Sequence, residues 1–600
     1  MKFTENTEAL ILSKDKNITS ILQKRLEKEP HATIIERKNS TGKWDKITVE
    51  KFHQEATMLA KRLIAFGLQP NERIAIMSKT RYEWTLIDFA ALMAGLTVVP
   101  IYETSSQQQI KWILENSQAK IAIAENHSLQ KEIVEASPQN RPKIFTIDYD
   151  DNSPTLTLED MGESEHITHQ MLEKRMANIG LDTPATIIYT SGTTGKPKGV
   201  LLTHGNFLKL ALNTVKSMPE VFNGQGRALL FLPLAHVFAR FIEIAVIAGS
   251  SVLGHSDMKT LNEDLKVFRP TYLLGVPRVF EKVYAGAEQS SAQEKARGYF
   301  NWASRVAIAY SRALDTEKGP GFWLKFQHVF ADGLIYSKLK DKLGGRVQFA
   351  ISGGGPLGER LGHFYRGLGL QVLEGYGLTE TTAPITVNTP KDTRIGSVGK
   401  VTAGGKVMLA EDGEILLRGD SVFTGYFENG EATHEAFTKD GWFRTGDLGR
   451  LDEEGFLFIT GRKKEIIVTA GGKNVAPAVL EDRVRAHALV SQCVVVGDGK
   501  PFIGALITLD VDGLPGWLIM HDKPKMGVSE ALKDADIIAA IDAAVKRANE
   551  AVSNAEAIKK WEFLAEDFSI ESGHLTPSLK VKRHVVLEDF ADKISELYGG

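Results

Sequence analysis

The sequence predicts an α/β protein of more than one domain: a large N-terminal part with a β-rich subdomain, then a small α+β part. Three observations carry this. A chain of 600 residues exceeds what one hydrophobic core holds. Apolar runs at Arg73–Met77, Thr97–Ile101, 120–124 and 143–147 alternate with helical stretches, the pattern of a parallel sheet with crossover helices. The apolar run 185–189 then feeds Thr190-Ser191-Gly192-Thr193-Thr194-Gly195-Lys196-Pro197-Lys198-Gly199, a strand leading into a loop built to hold phosphate.

That loop organises the rest. Glycines let backbone N–H groups converge on one concavity, hydroxyls add donors, and lysines add positive charge. A plain surface hairpin needs only one or two such residues. It is not a Walker A loop, because two residues separate Gly192 from Gly195 and Pro197 follows Lys196 where Ser or Thr belongs.

Bulk properties narrow the class. A formal net charge of −3 lacks the basic excess of a nucleic-acid binder. Cys493 is the only cysteine, so an intrachain disulfide is excluded and a reducing compartment fits. The first residues lack the apolar core of a signal peptide. The most apolar region, 228–253, is interrupted by Pro233, Arg240 and Glu243, unlike a membrane span. The expectation is a soluble cytoplasmic protein, with peripheral membrane contact left open. Oligomeric state is not legible.

In chain order, 54–66 has helical periodicity ending at Gly67, a C-terminal cap. Polar 148–165 reads as a surface excursion. After the loop, strand 227–232 precedes Leu234-Ala235-His236-Val237-Phe238-Ala239-Arg240. On pattern alone, His236 is a satisfied core histidine. The following helix, 237–247, is apolar almost all round and reads as buried. Phe238, Phe241, Ile242 and Ala245 could line an apolar tunnel or be ordinary core, and strand 272–277 carries the same ambiguity.

Residues 289–343 mix Trp302, Tyr310, Phe322, Trp323, Phe326 and Phe330 with many basic residues, and Gly319-Pro320-Gly321 splits them into two helical halves. Docking of an inserted helical hairpin is the favoured reading and membrane contact the lesser one. Strand 347–351 runs into Ser352-Gly353-Gly354-Gly355-Pro356, whose glycines admit a flat ring close to backbone. Glu374-Gly375-Tyr376-Gly377-Leu378-Thr379-Glu380 offers a π-face, a hydroxyl and a hard carboxylate in succession. Short strands at 407–417 and from Trp442 form the β-rich subdomain. Asp447, in Gly446-Asp447-Leu448-Gly449, is a turn aspartate or a hydroxyl acceptor. Charged 460–465 marks a boundary between domains at 1–460 and 461–600. The second holds strands near Val494 and Ile503 and helices after Pro477 and Ile537.

Together, and in this order, these motifs resemble the adenylate-forming (AMP-binding) superfamily of acyl-CoA synthetases, luciferases and adenylation domains, and within it the bacterial long-chain fatty acid–CoA ligases. The resemblance spans nearly the whole chain. It implies layered sheets in the large domain and a mobile small domain. It implies that Thr190, Ser191, Gly192, Thr193, Thr194, Gly195 and Lys196 hold the ATP phosphates, and that Gly353, Gly354 and Gly355 wall the adenine pocket. Tyr376, beside Gly377, would stack on adenine, Thr379 would touch phosphate and Glu380 would bind Mg²⁺. Asp447 and Arg462 would reach ribose. His236 would orient the acyl carboxylate. Lys464 would be the hinge, Gly472 would line the coenzyme A tunnel, and Lys580 would be the catalytic lysine of the small domain. Leu579 stands where the broad superfamily usually has glycine, as in long-chain synthetases. The activity implied is ATP-dependent ligation of a long-chain fatty acid to coenzyme A through an acyl-adenylate, releasing AMP and pyrophosphate. The alternative is a fatty acyl-AMP ligase that delivers to a carrier protein.

Overall fold

A computed structural model describes residues 2–39, 41–137, 142–149, 156–190, 196–289, 294–576 and 580–599, with side chains left aside at 288–297. Among the described residues the large domain is built on three sheets. A nine-stranded sheet runs Lys400–Val401, Thr386–Val387, Gln371–Tyr376, Phe349–Ser352, Tyr272–Gly275, Arg227–Leu230, Val252–His255, Thr33–Lys38 and Trp44–Thr48. Its central pairings, from Gln371–Tyr376 to Thr33–Lys38, are parallel.

A seven-stranded sheet runs Gly425–Tyr426, Lys198–Thr203, Pro184–Thr190, Thr97–Ile101, Arg73–Met77, Ile121–Ala124 and Lys143–Thr146. The expected alternation is present in it, but Lys198–Thr203 returns antiparallel to Pro184–Thr190. Lys198 and Gly199 therefore belong to a strand, not to the loop. A Cβ on Gly199 would stand 2.8 Å from Ile187 Cγ2, so this glycine serves sheet packing.

The third sheet is antiparallel and forms the β-rich subdomain: Phe3–Glu5, Gly405–Leu409, Glu414–Gly419, Phe443–Leu451 and Leu457–Arg462. The strand Phe3–Glu5, which the sequence did not suggest, pairs with Gly405–Leu409 across four hundred residues. The small domain has its own core around Val490–Val496, Ile503–Leu509 and Ile558–Leu564.

The helix Val237–Ala248 lies in the main core, as its apolar character predicts. Phe241, Ile242 and Ala245 are closed core residues; only Phe238 stays partly accessible. Arg240 and Glu243, which break the apolar run, are fully buried too. The Arg240 guanidinium donates to both oxygens of buried Asp88.

The hairpin of 289–343 corrects the sequence reading. Trp302 and Tyr310 are partly covered, and the long helix Glu294–Leu314 docks on Glu359–Gly367, where a Cβ on Gly367 would overlap the Ala307 carbonyl at 2.1 Å. Phe322, Trp323 and Phe326 do not dock, and Phe330 touches the body only edge to face with Trp302, ring centroids 6.0 Å apart. They stand exposed on the helix Phe322–Ala331. The helix turns its apolar face outward because its inner face is anchored by His328, whose Nε2 lies 2.6 Å from the Gly367 carbonyl.

Candidate active site

The candidate site residues gather at the carboxyl ends of the nine-stranded sheet, where open α/β sheets bind ligands. Register aligns Gly275, Ser352 and Glu374 across three parallel strands. The chain leaving Arg227–Leu230 reaches His236, that leaving Phe349–Ser352 reaches Gly353–Gly355, and Gln371–Tyr376 ends on Tyr376 itself.

His236 caps the helix Val237–Ala248: its Nδ1 accepts from the Phe238 N–H at 3.2 Å. That bond leaves the ring proton on Nε2. Burial, and secondarily the Lys580 charge, lower the His236 pKa to about 4. It is therefore a neutral donor near pH 7, suited to hold a carboxylate and unsuited to act as a cation. Phe238 packs on Gly353, where a Cβ would come within 3.3 Å of its ring. Gly354 has φ +83°, a left-handed conformation that favours glycine. Glu374 staples this loop: one carboxylate oxygen accepts from the Leu357 N–H at 3.0 Å, and burial raises its pKa to about 7.

Tyr376 donates from its hydroxyl to Asp447 at 2.6 Å, and Arg462 Nε lies 3.1 Å from the other oxygen of Asp447. Asp447 and Arg462 are cross-strand partners, so a β-hairpin presents carboxylate and guanidinium together. Gly377 is required by the chain itself, since a Cβ there would lie 2.0 Å from the Ala383 carbonyl. Thr379 opens a short turn, Thr379–Thr381, followed by Thr382 and Ala383 at φ +61° and +102°. Two successive left-handed non-glycine residues beside Glu380 store backbone strain at the site.

The Glu380 carboxylate accepts from the Tyr426 hydroxyl at 2.8 Å. Its pKa is raised because burial outweighs its hydrogen bonds and the nearby charges of Lys198 and Arg462. Glu380 is thus short of positive charge. Lys580 enters from the small domain. Its pKa is lowered, first by burial in the cleft and then by Arg462, against the opposing pull of Asp447, Glu380 and Glu465. It keeps solvent access at the same time, as a side chain in a cleft mouth does. Arg583 is committed elsewhere, to Glu481 and the Val495 carbonyl, which leaves the cleft to Lys580. An ion pair between Arg278 and Asp510 at 3.0 Å ties the small domain to the large one.

The structure thus brings His236, Glu380, Asp447, Arg462 and Lys580 into one electrostatic neighbourhood, with Gly353, Gly354, Gly355, Tyr376 and Thr379 on the elements around it. Thr190 ends its strand opposite Lys198. Ser191, Gly192, Thr193, Thr194 and Gly195 lie outside the described residues. Lys196 sits 4.2 Å over the Trp112 ring. Lys464 is exposed in the turn Lys463–Glu465. Gly472, at φ +75°, occupies an exposed turn held within the small domain by its N–H to the Thr469 carbonyl, 2.8 Å. Neither of the last two is gathered with the others.

Two supporting residues escaped the sequence. Tyr426 bonds Glu380 and lies under Lys198 at 5.1 Å. Trp112 donates to the Pro197 carbonyl at 2.8 Å and stacks beneath Lys196. No local signal marks either. Glu374 stands in the motif that holds Tyr376 and Glu380, but its bond to the Leu357 N–H was not legible.

The chain is similar to known proteins over nearly its whole length. The AMP-binding enzyme family matches residues 22–427, and its C-terminal domain matches 464–600. A long-chain-fatty-acid–CoA ligase of Mycobacterium tuberculosis is 46% identical over 97% of both chains. A human long-chain-fatty-acid–CoA ligase is 31% identical over 93% of this chain and 88% of its own. The adenylation domain of a Mycobacterium chelonae carboxylate reductase superposes with a TM-score of 0.73 at 20% identity, over 98% of this chain and 91% of that one. ATP-bound MatB from Rhodopseudomonas palustris gives 0.66 at 22% identity, over 96% and 100%. The chain belongs to the AMP-binding, adenylate-forming enzyme family.

Proposed function

We propose that this protein ligates a long-chain fatty acid to coenzyme A at the expense of ATP, through an acyl-adenylate. The observation that carries the reading is the meeting of Lys580, from the small domain, with His236, Glu380, Asp447 and Arg462 of the large one. The relatives' names support the acyl substrate.

In the first half-reaction a fatty carboxylate oxygen attacks the α-phosphorus, and the bond to the bridging oxygen breaks to release pyrophosphate. The acid is already ionised at neutral pH and needs no base. The His236 Nε2–H orients it. Tyr376 and Gly353–Gly355 hold adenine, Asp447 and Arg462 hold ribose, and Thr190–Lys196 with Thr379 hold phosphates. Lys580 offsets the charge spreading on the phosphoryl oxygens. Glu380 would hold Mg²⁺, which neutralises phosphate charge when bound. A single protein carboxylate suits an ion that takes its other ligands from phosphates and water, and the raised Glu380 pKa marks a carboxylate short of a cation.

In the second half-reaction the coenzyme A sulfur attacks the acyl carbon and the acyl–oxygen bond to AMP breaks. Rotation of 461–600 about Lys464 would withdraw Lys580 and bring the Gly472 turn to the cleft, so one lid serves two steps. The arrangement described above, Lys580 in and Gly472 out, corresponds to the adenylating pose. Buried Cys493 and the lack, among the described residues, of a helix long and apolar enough to cross a membrane fit a cytoplasmic enzyme.

The half-reactions separate in one experiment. Lys580→Ala should slow adenylation by about 10²–10³, the usual loss for one electrostatic contact to a transition state. Given preformed acyl-adenylate, it should form acyl-CoA at nearly the normal rate. Equal losses in both halves would remove the division of labour. Wild type that turns over with a carrier protein but not with free coenzyme A would favour the acyl-AMP ligase.

A further inference from the structure

The helix Phe322–Ala331 inverts the usual rule for a surface helix. Phe322, Trp323, Phe326, Val329 and Phe330 are 57–77% exposed. Their spacing, at i, i+1, i+4, i+7 and i+8, places them along one face. The opposite face carries His328, stacked on the Tyr310 ring at 3.8 Å and bonded to the Gly367 carbonyl. A helix docked only for stability would face the other way. The orientation is fixed by contacts and does not reflect a loosely held segment: Leu324 and buried Ala331 pack against the body, and a π-helical turn at Asp332–Tyr336 seats Tyr336, whose hydroxyl donates to the Ala303 carbonyl at 2.6 Å. The outer rings pack edge to face with one another, Phe322 with Trp323 and Trp323 with Phe326, and so present one contiguous apolar surface.

The charges around this surface have a sign. Lys325 lies on the helix itself, Lys318 precedes it and Lys338 follows it in the chain, and Arg312 stands in the last turn of Glu294–Leu314, all exposed. Of the nearby acids, Asp315 is paired with Arg366 at 2.7 Å and Asp332 with Lys340 at 2.8 Å, while Glu317 is exposed. The protein as a whole is slightly acidic, net −3, so this basic excess is local. Aromatic side chains outward with lysines beside them match the interface of an anionic bilayer, where rings enter the headgroup boundary and ammonium groups meet lipid phosphates.

We propose that the helix Phe322–Ala331 is a lipid-surface anchor that lays its aromatic face in the interface of an anionic membrane. The inference rests on the proposed fatty-acyl substrate for its purpose. Each methylene of a long-chain acid gains free energy by leaving water, so the acid resides in bilayers, and an anchored enzyme collects it there.

The test uses the full chain and its triple variant Phe322→Ala/Trp323→Ala/Phe326→Ala, which removes only exposed rings. Wild type should float with phosphatidylglycerol–phosphatidylcholine vesicles, less at high salt and less with phosphatidylcholine alone. The variant should lose at least about tenfold in partitioning. Lys325→Glu should lose binding to the anionic vesicles only. Turnover of dissolved decanoate should be equal for wild type and the triple variant, while turnover of palmitate supplied in anionic vesicles should fall in the variant. Wild type that stays unbound, a triple variant that floats equally well, or a wild-type dimer that the triple variant splits would overturn the anchor. Wild type that binds vesicles but forms no thioester from dissolved decanoate would support the anchor and remove the ligase reading instead.

Discussion

Two apolar helices of this protein obey opposite rules. Val237–Ala248 buries all but Phe238 and Ala248, and buries even Arg240 and Glu243, while Phe322–Ala331 exposes its phenylalanines and tryptophan and turns His328 inward. Composition does not distinguish them. Partners do. The first helix finds Asp88 for Arg240 and Thr85 for Glu243, which burial and Asp88 hold toward its neutral form, so both polar heads are admissible inside. It also starts at His236, so this buried network sets where a functional side chain stands. The second finds a carbonyl for His328 on one side and, among the described residues, only the edge of Trp302 against Phe330 on the other. A helix with charges inside is fixed in place, and a helix with rings outside is offered to something else.

The sharpest way to break the contrast is Arg240→Met, which leaves the buried Asp88 carboxyl without the cation that holds its proton off. Removing one member of a buried pair costs about 3–5 kcal/mol, and chemical denaturation should show it. Asp88→Asn added to Arg240→Met should recover part of that loss; no recovery would mean that Arg240 acts by packing against Trp84 and Phe207.

Next comes the inner anchor of the outer helix. His328→Ala strands the Gly367 carbonyl and removes the stack on Tyr310, a loss of about 1–3 kcal/mol. Hydrogen exchange should show the loss confined to the hairpin, whereas uniform exchange over the large domain would contradict a local anchor.

A smaller effect separates by pH. Burial holds the Glu374 carboxyl up at about 7, above its ordinary 4.5. The fold prefers the neutral form, so this group's contribution is present in acid and is lost as pH rises through about 7. Glu374→Gln keeps an uncharged acceptor for Leu357. Its Tm should match wild type near about pH 5 and exceed it above about pH 7. A constant offset at every pH would show that ionisation of Glu374 is not the cause.

The smallest change is expected where composition would suggest the largest. Phe326→Ser alters a phenylalanine, yet an exposed one, and stability should move by no more than about 0.5 kcal/mol. A loss of several times that would mean the ring is covered in solution.

The strands of the large domain were legible because alternation of apolar runs survives in sequence: Arg73–Met77 and Thr97–Ile101 stand where the pattern puts them. The helix before them was not fully legible; Val49–Ala65 starts five residues earlier than its periodicity, because Thr48 caps it through a hydroxyl to the Lys51 N–H. Of the site, the residues that carry charge were nameable, since a carboxylate or lysine amid glycines is locally odd. The residues that position them were not. Tyr426 meets Glu380 across a separation of 46 residues, and no local pattern encodes such a meeting. Helix direction was illegible for the same reason: the Gly367 carbonyl that decides which way Phe322–Ala331 faces lies 39 residues from His328.

The strand Phe3–Glu5 completes the β-rich subdomain by pairing with Gly405–Leu409. On a ribosome adding about 5–20 residues per second, its partner leaves the tunnel roughly 20–80 seconds later. Until then Phe3–Glu5 has no strand partner. Lys406 then meets Glu5 at 2.7 Å as the register locks. The strand is therefore made long before the partner that seals it, and a bulky fusion ahead of Phe3 competes with synthesis as well as with the finished structure.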